Sequence, residues 1–240
     1  LYRWNSRDSV VEDGLVDWWT QRFKAIFGMV DVARVDHFRG FQTYWAVPAE
    51  EETALNGSWV KGPGASFFEK IYRHLGELKI IAEDLGEISE EVIKLRDRLG
   101  FPGMKVLQFA FDGNTANPFL PHNYTTPNCV VYTGTHDNDT TLGWFLSSHV
   151  NDHQRKEIKR FANRAMHDTS PIHHDLIYLA LSSTASLAVI PLQDLFGFGS
   201  DCRMNTPGVA NGNWQWRCHE KHLTDEAADY MRRLCQRFGR

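Results

Sequence analysis

Apolar residues recur at helical spacing at Val10, Val11, Leu15, Trp18, Trp19, Phe23, Ile26 and Phe27, after a Ser9-x-x-Glu12 capping pattern and before Gly28. This predicts a helix over 9–27 that Gly28 closes. The period then changes. Met29 to Val35 is a short, mostly apolar run that ends in the charge cluster Arg34-Val35-Asp36-His37-Phe38-Arg39-Gly40. A buried parallel strand over 29–36, ending at a functional surface, has this pattern. Residues 41–65 carry Trp45, Trp59, Asn56-Gly57 and Gly62-Pro63-Gly64, and read as a long loop whose aromatics either bind a ligand or anchor the loop. Ser66-x-x-Glu69 predicts a second capped helix with Phe67, Phe68, Ile71, Tyr72 and Leu75 on its apolar face and a stop at Gly76.

The alternation continues. A strand over 79–83 runs into Glu83-Asp84-Leu85-Gly86, and Ser89 caps a helix that Gly100 closes. Met104 to Phe111 is a third apolar run, followed by a Pro/Asn-rich loop over 112–128. Cys129 to Thr135 is a fourth strand, opening into Gly134-Thr135-His136-Asp137-Asn138-Asp139. Helices are predicted over 152–167, capped by Asn151, and over 172–186; a fifth strand covers 187–192, and an amphipathic helix 224–238. Short apolar strands alternating with helices predict an α/β fold with a parallel sheet. Three of the strands end in acids, which suits the C-terminal face of a β/α barrel. A doubly wound sheet also seats ligands at strand ends, but no G-x-G-x-x-G or G-x-x-x-x-G-K-[ST] motif supports nucleotide binding.

Composition narrows the classes. A net charge of −4 without a Lys/Arg run argues against a nucleic-acid surface. No run of eighteen apolar residues predicts a membrane span. Cys129, Cys202, Cys218 and Cys235 are scattered, which argues against a zinc or redox motif and fits a reducing cytoplasm or plastid stroma. Eight Trp and 15 Phe suit either a core or sugar-stacking platforms. The chain starts at Leu1 with a helix signal almost at once, which reads as a piece of a longer protein.

The acids suggest the chemistry. Arg34 and Asp36 face the same side of a strand, so the guanidinium suits Asp36 as an ionised nucleophile, although the two also make an ordinary structural ion pair. Retaining glycosidic cleavage needs such a nucleophile and an acid/base about 5–5.5 Å away. Glu83, following Ile80-Ile81-Ala82, fits the second role; the alternative is a helix cap. Asp137 is a third acid, able to grip sugar hydroxyls, and His37 and His136 flank the acids as possible donors to hydroxyls. Metal binding competes for His136-Asp137-Asn138-Asp139, but the spacing matches no zinc or calcium loop.

Several motifs resemble the 4-α-glucanotransferases, the amylomaltases or disproportionating enzymes of glycoside hydrolase family 77. They are Arg34 to Gly40, Ala82-Glu83-Asp84-Leu85-Gly86, Pro102 to Phe111, Asn117-Pro118-Phe119-Leu120-Pro121-His122, Tyr132 to Thr141, Arg203-Met204-Asn205-x-Pro207-Gly208 and Gly212-Asn213-Trp214-x-Trp216-Arg217. The resemblance implies a (β/α)8 TIM-type barrel to which residues 1–240 contribute about the last five β/α units. It implies transfer of α-1,4-glucan segments to the 4-OH of an acceptor glucan or glucose, with maltooligosaccharides as substrates and no cofactor. Asp36 matches the nucleophile, Glu83 the acid/base and Asp137 the transition-state-stabilising acid. Arg34, His37 and His136 match sugar-contacting positions. Trp45 and Trp59 are added as candidate acceptor-stacking residues. An α-1,4-glucan hydrolase on the same barrel, or a non-catalytic glucan-binding fragment, are the alternatives. The N-terminal half of the barrel is expected to be needed, in cis or in trans.

Overall fold

The computed structural model describes residues 9–162 and 170–240, with side chains from Asp13 onward. The Ser9-x-x-Glu12 capping pattern and the end of the helix predicted over 152–167 lie outside the described residues. The chain divides into two compact units, meeting in sequence at Met104 and Lys105.

In the first unit, helix α1 (Ser9–Phe27) ends at Gly28 as its spacing predicts, and strand β1 (Ala33–Val35) follows. The strand is shorter than expected. Met29, Val30 and Val32 are 77%, 44% and 45% exposed, because the ladder on β1 begins only at Ala33. A short 3-10 turn (Phe38–Phe41) leads into β2 (Thr43–Ala46) and β3 (Ser58–Lys61). These pair antiparallel with Trp45 opposite Trp59, so part of the stretch read as a loop is a β-hairpin. Its connection, residues 47–57, is too long to give a tight-turn signal.

Helix α2 (Gly64–Leu75) starts before the predicted cap. Pro63 already holds helical dihedrals, so Ser66 lies in the first turn and donates its hydroxyl to the Pro63 carbonyl at 2.9 Å instead of capping. Gly76, at φ 75°, ends the helix where an L side chain is disfavoured. Strand β4 (Ile80–Ala82) pairs parallel with β1, with Ala33 opposite Ile80 and Val35 opposite Ala82. Helix α3 (Glu90–Arg98) follows an N-cap Ser89 whose side chain accepts no backbone N–H, and β5 (Gly103–Val106) carries the boundary between the units.

The core of this unit is aromatic. Phe41 and Phe68 ring centroids lie 4.9 Å apart, Phe68 and Phe101 5.3 Å, and Phe38 and Phe101 5.9 Å, mostly tilted or edge-on as ring quadrupoles favour. Phe38 is fully buried. Its burial contributes about 2–3 kcal/mol and pins the chain one residue beyond His37.

The second unit holds β6 (Cys129–Tyr132), buried throughout, then α4 (Thr141–Leu146), α5 (Asp152–Phe161), α6 (Ile172–Ser182), β7 (Leu187–Val189), α7 (Leu192–Leu195) and α8 (Asp225–Phe238). The sheet order is β5-β6-β7, with β6 and β7 parallel. Asn151 and Gln154 form the capping box of α5, and Thr224 caps α8 through the Ala227 N–H. Leu234 of α8 packs with Ile177 and Leu181 of α6. All five sequence-predicted strands are present, shortened, and the fold is α/β. Among the described residues they form a two-stranded and a three-stranded sheet rather than a closed barrel. No helix there is long and apolar enough to cross a membrane.

One half-buried imidazole couples this unit to pH. Burial and then the neighbouring His174 lower the pKa of His173 to about 4, against the opposing charge of Asp175. Gly197, at φ 66°, lies so close that a Cβ there would meet the His173 ring at 2.4 Å. In the unfolded chain this imidazole titrates near pH ~6.5. Between the two values the unfolded state binds more protons, so stability is fully present above the higher value and falls as pH drops toward the lower. The urea midpoint is expected to fall between pH 7 and 5, and His173→Gln to flatten that slope. An unchanged slope excludes His173 as its source.

Candidate active site

Two groups of polar side chains stand at strand ends. In the first unit, Val35 and Ala82 are register partners, the Glu83 N–H donates to the Val35 carbonyl at 3.0 Å, and the Phe38 N–H donates to the Glu83 carbonyl at 3.1 Å. Asp36 and Glu83 are therefore the next residues on neighbouring parallel strands, whose spacing is about 4.8 Å. Side chains set on neighbouring strand ends are within reach of the roughly 5–5.5 Å carboxyl separation that retaining glycosidases use. Arg34 Nη2 donates to Asp36 Oδ1 at 2.8 Å, and its Nε contacts Met104 Sδ at 3.3 Å. The pairing predicted from their two-residue spacing is thus formed. Asp36 is 77% exposed and Arg34 28%, so the nucleophile candidate faces outward over a partly buried cation.

Glu83 does not cap a helix. Its Oε2 accepts the His37 N–H at 2.7 Å, and its Oε1 accepts the Leu85 N–H at 2.9 Å, which fixes the carboxyl plane. The first of these depends on an unusual backbone. His37 sits at φ 49°, ψ 49°, in the left-handed region that costs a non-glycine residue on the order of 1–2 kcal/mol. Asp84, one residue along, turns to the opposite side and accepts from Arg96 Nη1 at 2.5 Å and from the Met104 N–H at 2.8 Å. A cavity of about 470 Å³ is lined by Arg34, Asp36, His37, Tyr44, Phe41 and Trp19.

Trp45 and Trp59 lie on the hairpin, their rings edge-on at 5.3 Å and 40% and 54% exposed. Both are partly committed. Trp45 Nε1 donates to the Ala54 carbonyl at 2.8 Å, and the Arg39 guanidinium lies 4.4 Å from the Trp59 ring centroid.

In the second unit, the turn after β6 presents His136 and Asp137. His136 Nε2 stands 3.3 Å from Asp137 Oδ2. Asn205 Nδ2 donates to Asp137 Oδ1 at 2.6 Å, and Arg203 Nη2 donates to the Asp137 carbonyl at 2.7 Å. The Asn205 N–H reaches the His136 carbonyl at 3.1 Å. The turn is stitched from within by Asn138 Oδ1, which accepts from the Thr135 N–H and hydroxyl, both at 2.8 Å. Behind it lies Asp194, 2% exposed, accepting from the Thr133 hydroxyl at 2.5 Å and the Thr141 N–H at 2.6 Å. Burial raises the Asp194 pKa, and the Thr133 and Thr141 hydrogen bonds act against it. Asp194 thus ties both ends of the His136–Asp137 turn to α7. A cavity of about 200 Å³ opens beside His136, Asp139, Gln193 and Arg203. Among the described residues, no group of three or more His, Cys, Asp or Glu is placed to hold a metal ion.

Residues 1–224 match the family model described as 4-alpha-glucanotransferase, of glycoside hydrolase family 77. The chain belongs to the 4-alpha-glucanotransferase family. It is similar to a 4-alpha-glucanotransferase of Synechocystis, 51% identical over 224 residues that are 93% of this chain and 44% of that protein. A Thermus thermophilus 4-alpha-glucanotransferase is 44% identical over 240 residues, 98% of this chain and 47% of that protein. A chloroplastic/amyloplastic 4-alpha-glucanotransferase of Solanum tuberosum is 42% identical over 243 residues, all of this chain and 41% of that protein. Among solved structures, the amylomaltase of Streptococcus agalactiae in complex with acarbose superposes with a TM-score of 0.91 at 34% identity, covering 100% of this chain and 47% of that one. The chain therefore spans less than half the length of these relatives.

Arg34, Asp36, His37 and Glu83, all singled out from sequence, come together at one pair of strand ends in this family member, and His136 and Asp137 at another strand end. Arg203, Asn205 and Asp194 were assigned no role from sequence. Arg203 and Asn205 stand in a motif that carried the resemblance, but their partner Asp137 is 66 and 68 residues away, beyond any local spacing signal.

Proposed function

We propose that this chain carries the catalytic acids of a 4-alpha-glucanotransferase that moves α-1,4-glucan segments by a retaining double displacement. The observation that supports it most is the register that sets Asp36 and Glu83 on adjacent strand ends, with Arg34 bonded to the first and two backbone N–H groups to the second. Glu83 gives its proton to the departing glycosidic oxygen while the Asp36 carboxylate attacks C1 and forms a β-glucosyl ester. The Glu83 carboxylate then takes the proton of an incoming 4-OH. That oxygen attacks C1, Asp36 leaves, and the second inversion restores the α bond. Asp137, held by Asn205 and Arg203, grips sugar hydroxyls with His136 as a further contact, and Arg34 and His37 serve as sugar contacts beside Asp36. Trp45 and Trp59 form an acceptor-side surface, which helps a sugar outcompete water.

Maltooligosaccharides and longer α-1,4-glucans are the substrates in this reading, and the acarbose bound by the Streptococcus agalactiae relative supports a saccharide ligand. The β/α units here belong to a (β/α)8 barrel completed by an N-terminal part, in cis or in trans. The greater length of the relatives supports this, as do exposed Met29, Val30 and Val32 ahead of β1 and Leu187 and Val189 on β7. A cytoplasmic or plastid compartment agrees with the bacterial and chloroplastic relatives and with four free cysteines.

The assignment of Asp36 is tested by trapping. In Glu83→Gln protein given an α-maltosyl fluoride, C1–F cleavage needs no acid, whereas the next step lacks its base. Mass spectrometry should find a maltosyl ester on the peptide containing Asp36. An ester on another residue removes Asp36 as the nucleophile.

A further inference from the structure

We propose that Trp214 is a stacking platform for a glucose ring of the α-1,4-glucan chain, beside Asp137. This rests on the transferase reading above and adds a binding residue to it. Trp214 is one of two non-glycine residues at positive φ among the described residues; the other, His37, adjoins Asp36. An indole at φ 64° is strained, and strain of this kind persists where the surroundings over-determine it, often at ligand sites. The surroundings here do so. The Trp214 N–H donates to the Met204 carbonyl at 2.8 Å, and the preceding Asn213 bonds Thr206 at 3.0 Å and the Val209 carbonyl at 2.7 Å.

Packing does not account for the conformation, because Trp214 remains 54% exposed. Its ring centroid lies 5.1 Å from that of His136 at an interplanar angle of 39°. His136 directly precedes Asp137, so the indole packs on the residue next to the acid assigned above to the sugar hydroxyls. An exposed aromatic face offers C–H groups of a pyranose a flat apolar surface with a negative quadrupole, while neighbouring polar groups take the hydroxyls.

The test uses the full-length protein in a Glu83→Gln background, where bound maltoheptaose is not turned over. Calorimetry should show that Trp214→Ala weakens maltoheptaose binding about tenfold, equivalent to about 1.4 kcal/mol, while Trp214→Phe stays within about threefold. Trp214→Gly should lose the same affinity without lowering the melting temperature, since glycine suits this backbone. In the active background, Trp214→Ala should raise KM. A fall in kcat at unchanged KM would assign Trp214 to orienting His136 alone and overturn the proposal. So would parental affinity in Trp214→Ala. If the Glu83→Gln parent itself binds no maltoheptaose, the transferase reading fails, and this inference with it.

Discussion

Asp36→Asn lowers glucan transfer by about 10⁴-fold or more while leaving stability nearly unchanged. The amide keeps the shape and can still meet Arg34, but it cannot form the glucosyl ester. The stability half of the expectation follows from exposure. The Asp36 side chain is 77% exposed, and its ion pair with Arg34 at 2.8 Å lies at the surface. Such a pair is worth about 0–1 kcal/mol. Transfer rates and urea midpoints measured on the same preparations separate the two effects. Loss of activity together with a large loss of stability would make Asp36 a structural residue, the alternative that its pairing with Arg34 left open in the sequence.

Asp84→Ala is expected to act in the opposite way, destabilising the first unit by about 3–5 kcal/mol. The Asp84 side chain is 7% exposed and Arg96 14%, so both charges are largely out of water. Burial lowers the Arg96 pKa, and hydrogen bonds and charge from Asp97 and Asp84 outweigh it, leaving the pKa raised. Removing Asp84 strands the Met104 N–H and leaves Arg96 with the more exposed Asp97, at 2.6 Å. Loss of one partner of a buried pair costs more than the pair contributes, because the remaining charge is left desolvated. Asp84→Asn keeps an acceptor for Met104 and is expected to cost less. Urea unfolding at constant m-value measures both, and a change below about 1 kcal/mol for Asp84→Ala would contradict the expectation. The consequence for the site is direct. Successive strand residues face opposite sides, so the buried grip on Asp84 helps aim Glu83 outward.

Much of this was legible because charge follows apolar runs abruptly. Arg34, Asp36 and Glu83 stand where continuous hydrophobicity stops, and parallel register then makes Asp36 and Glu83 neighbours. The hairpin was not legible. Trp45 and Trp59 are direct cross-strand partners, but eleven residues with no Asn-Gly turn at the required offset separate β2 from β3. Helix α4 is six residues long, too short for a periodic signal, and is started by Thr140, whose hydroxyl accepts the Gly143 N–H. The supports of Asp137 escaped for a different reason. Asn205, Arg203 and Asp194 act through contacts made 53 to 68 residues away in sequence, and their residue types suggest loops and caps when read locally. The strain at His37 and Trp214 is likewise invisible without a backbone, since positive φ is uncommon even for His, which is enriched there, and is an outlier for a bulky indole.

Product analysis tests the central claim most directly. The full-length protein and its Asp36→Asn variant are incubated with maltotriose, and the products are resolved by chain length. Transfer predicts glucose together with a ladder of longer maltooligosaccharides from the parent and none from the variant. Glucose and maltose alone, or a ladder that survives in Asp36→Asn, would contradict glucan transfer through Asp36.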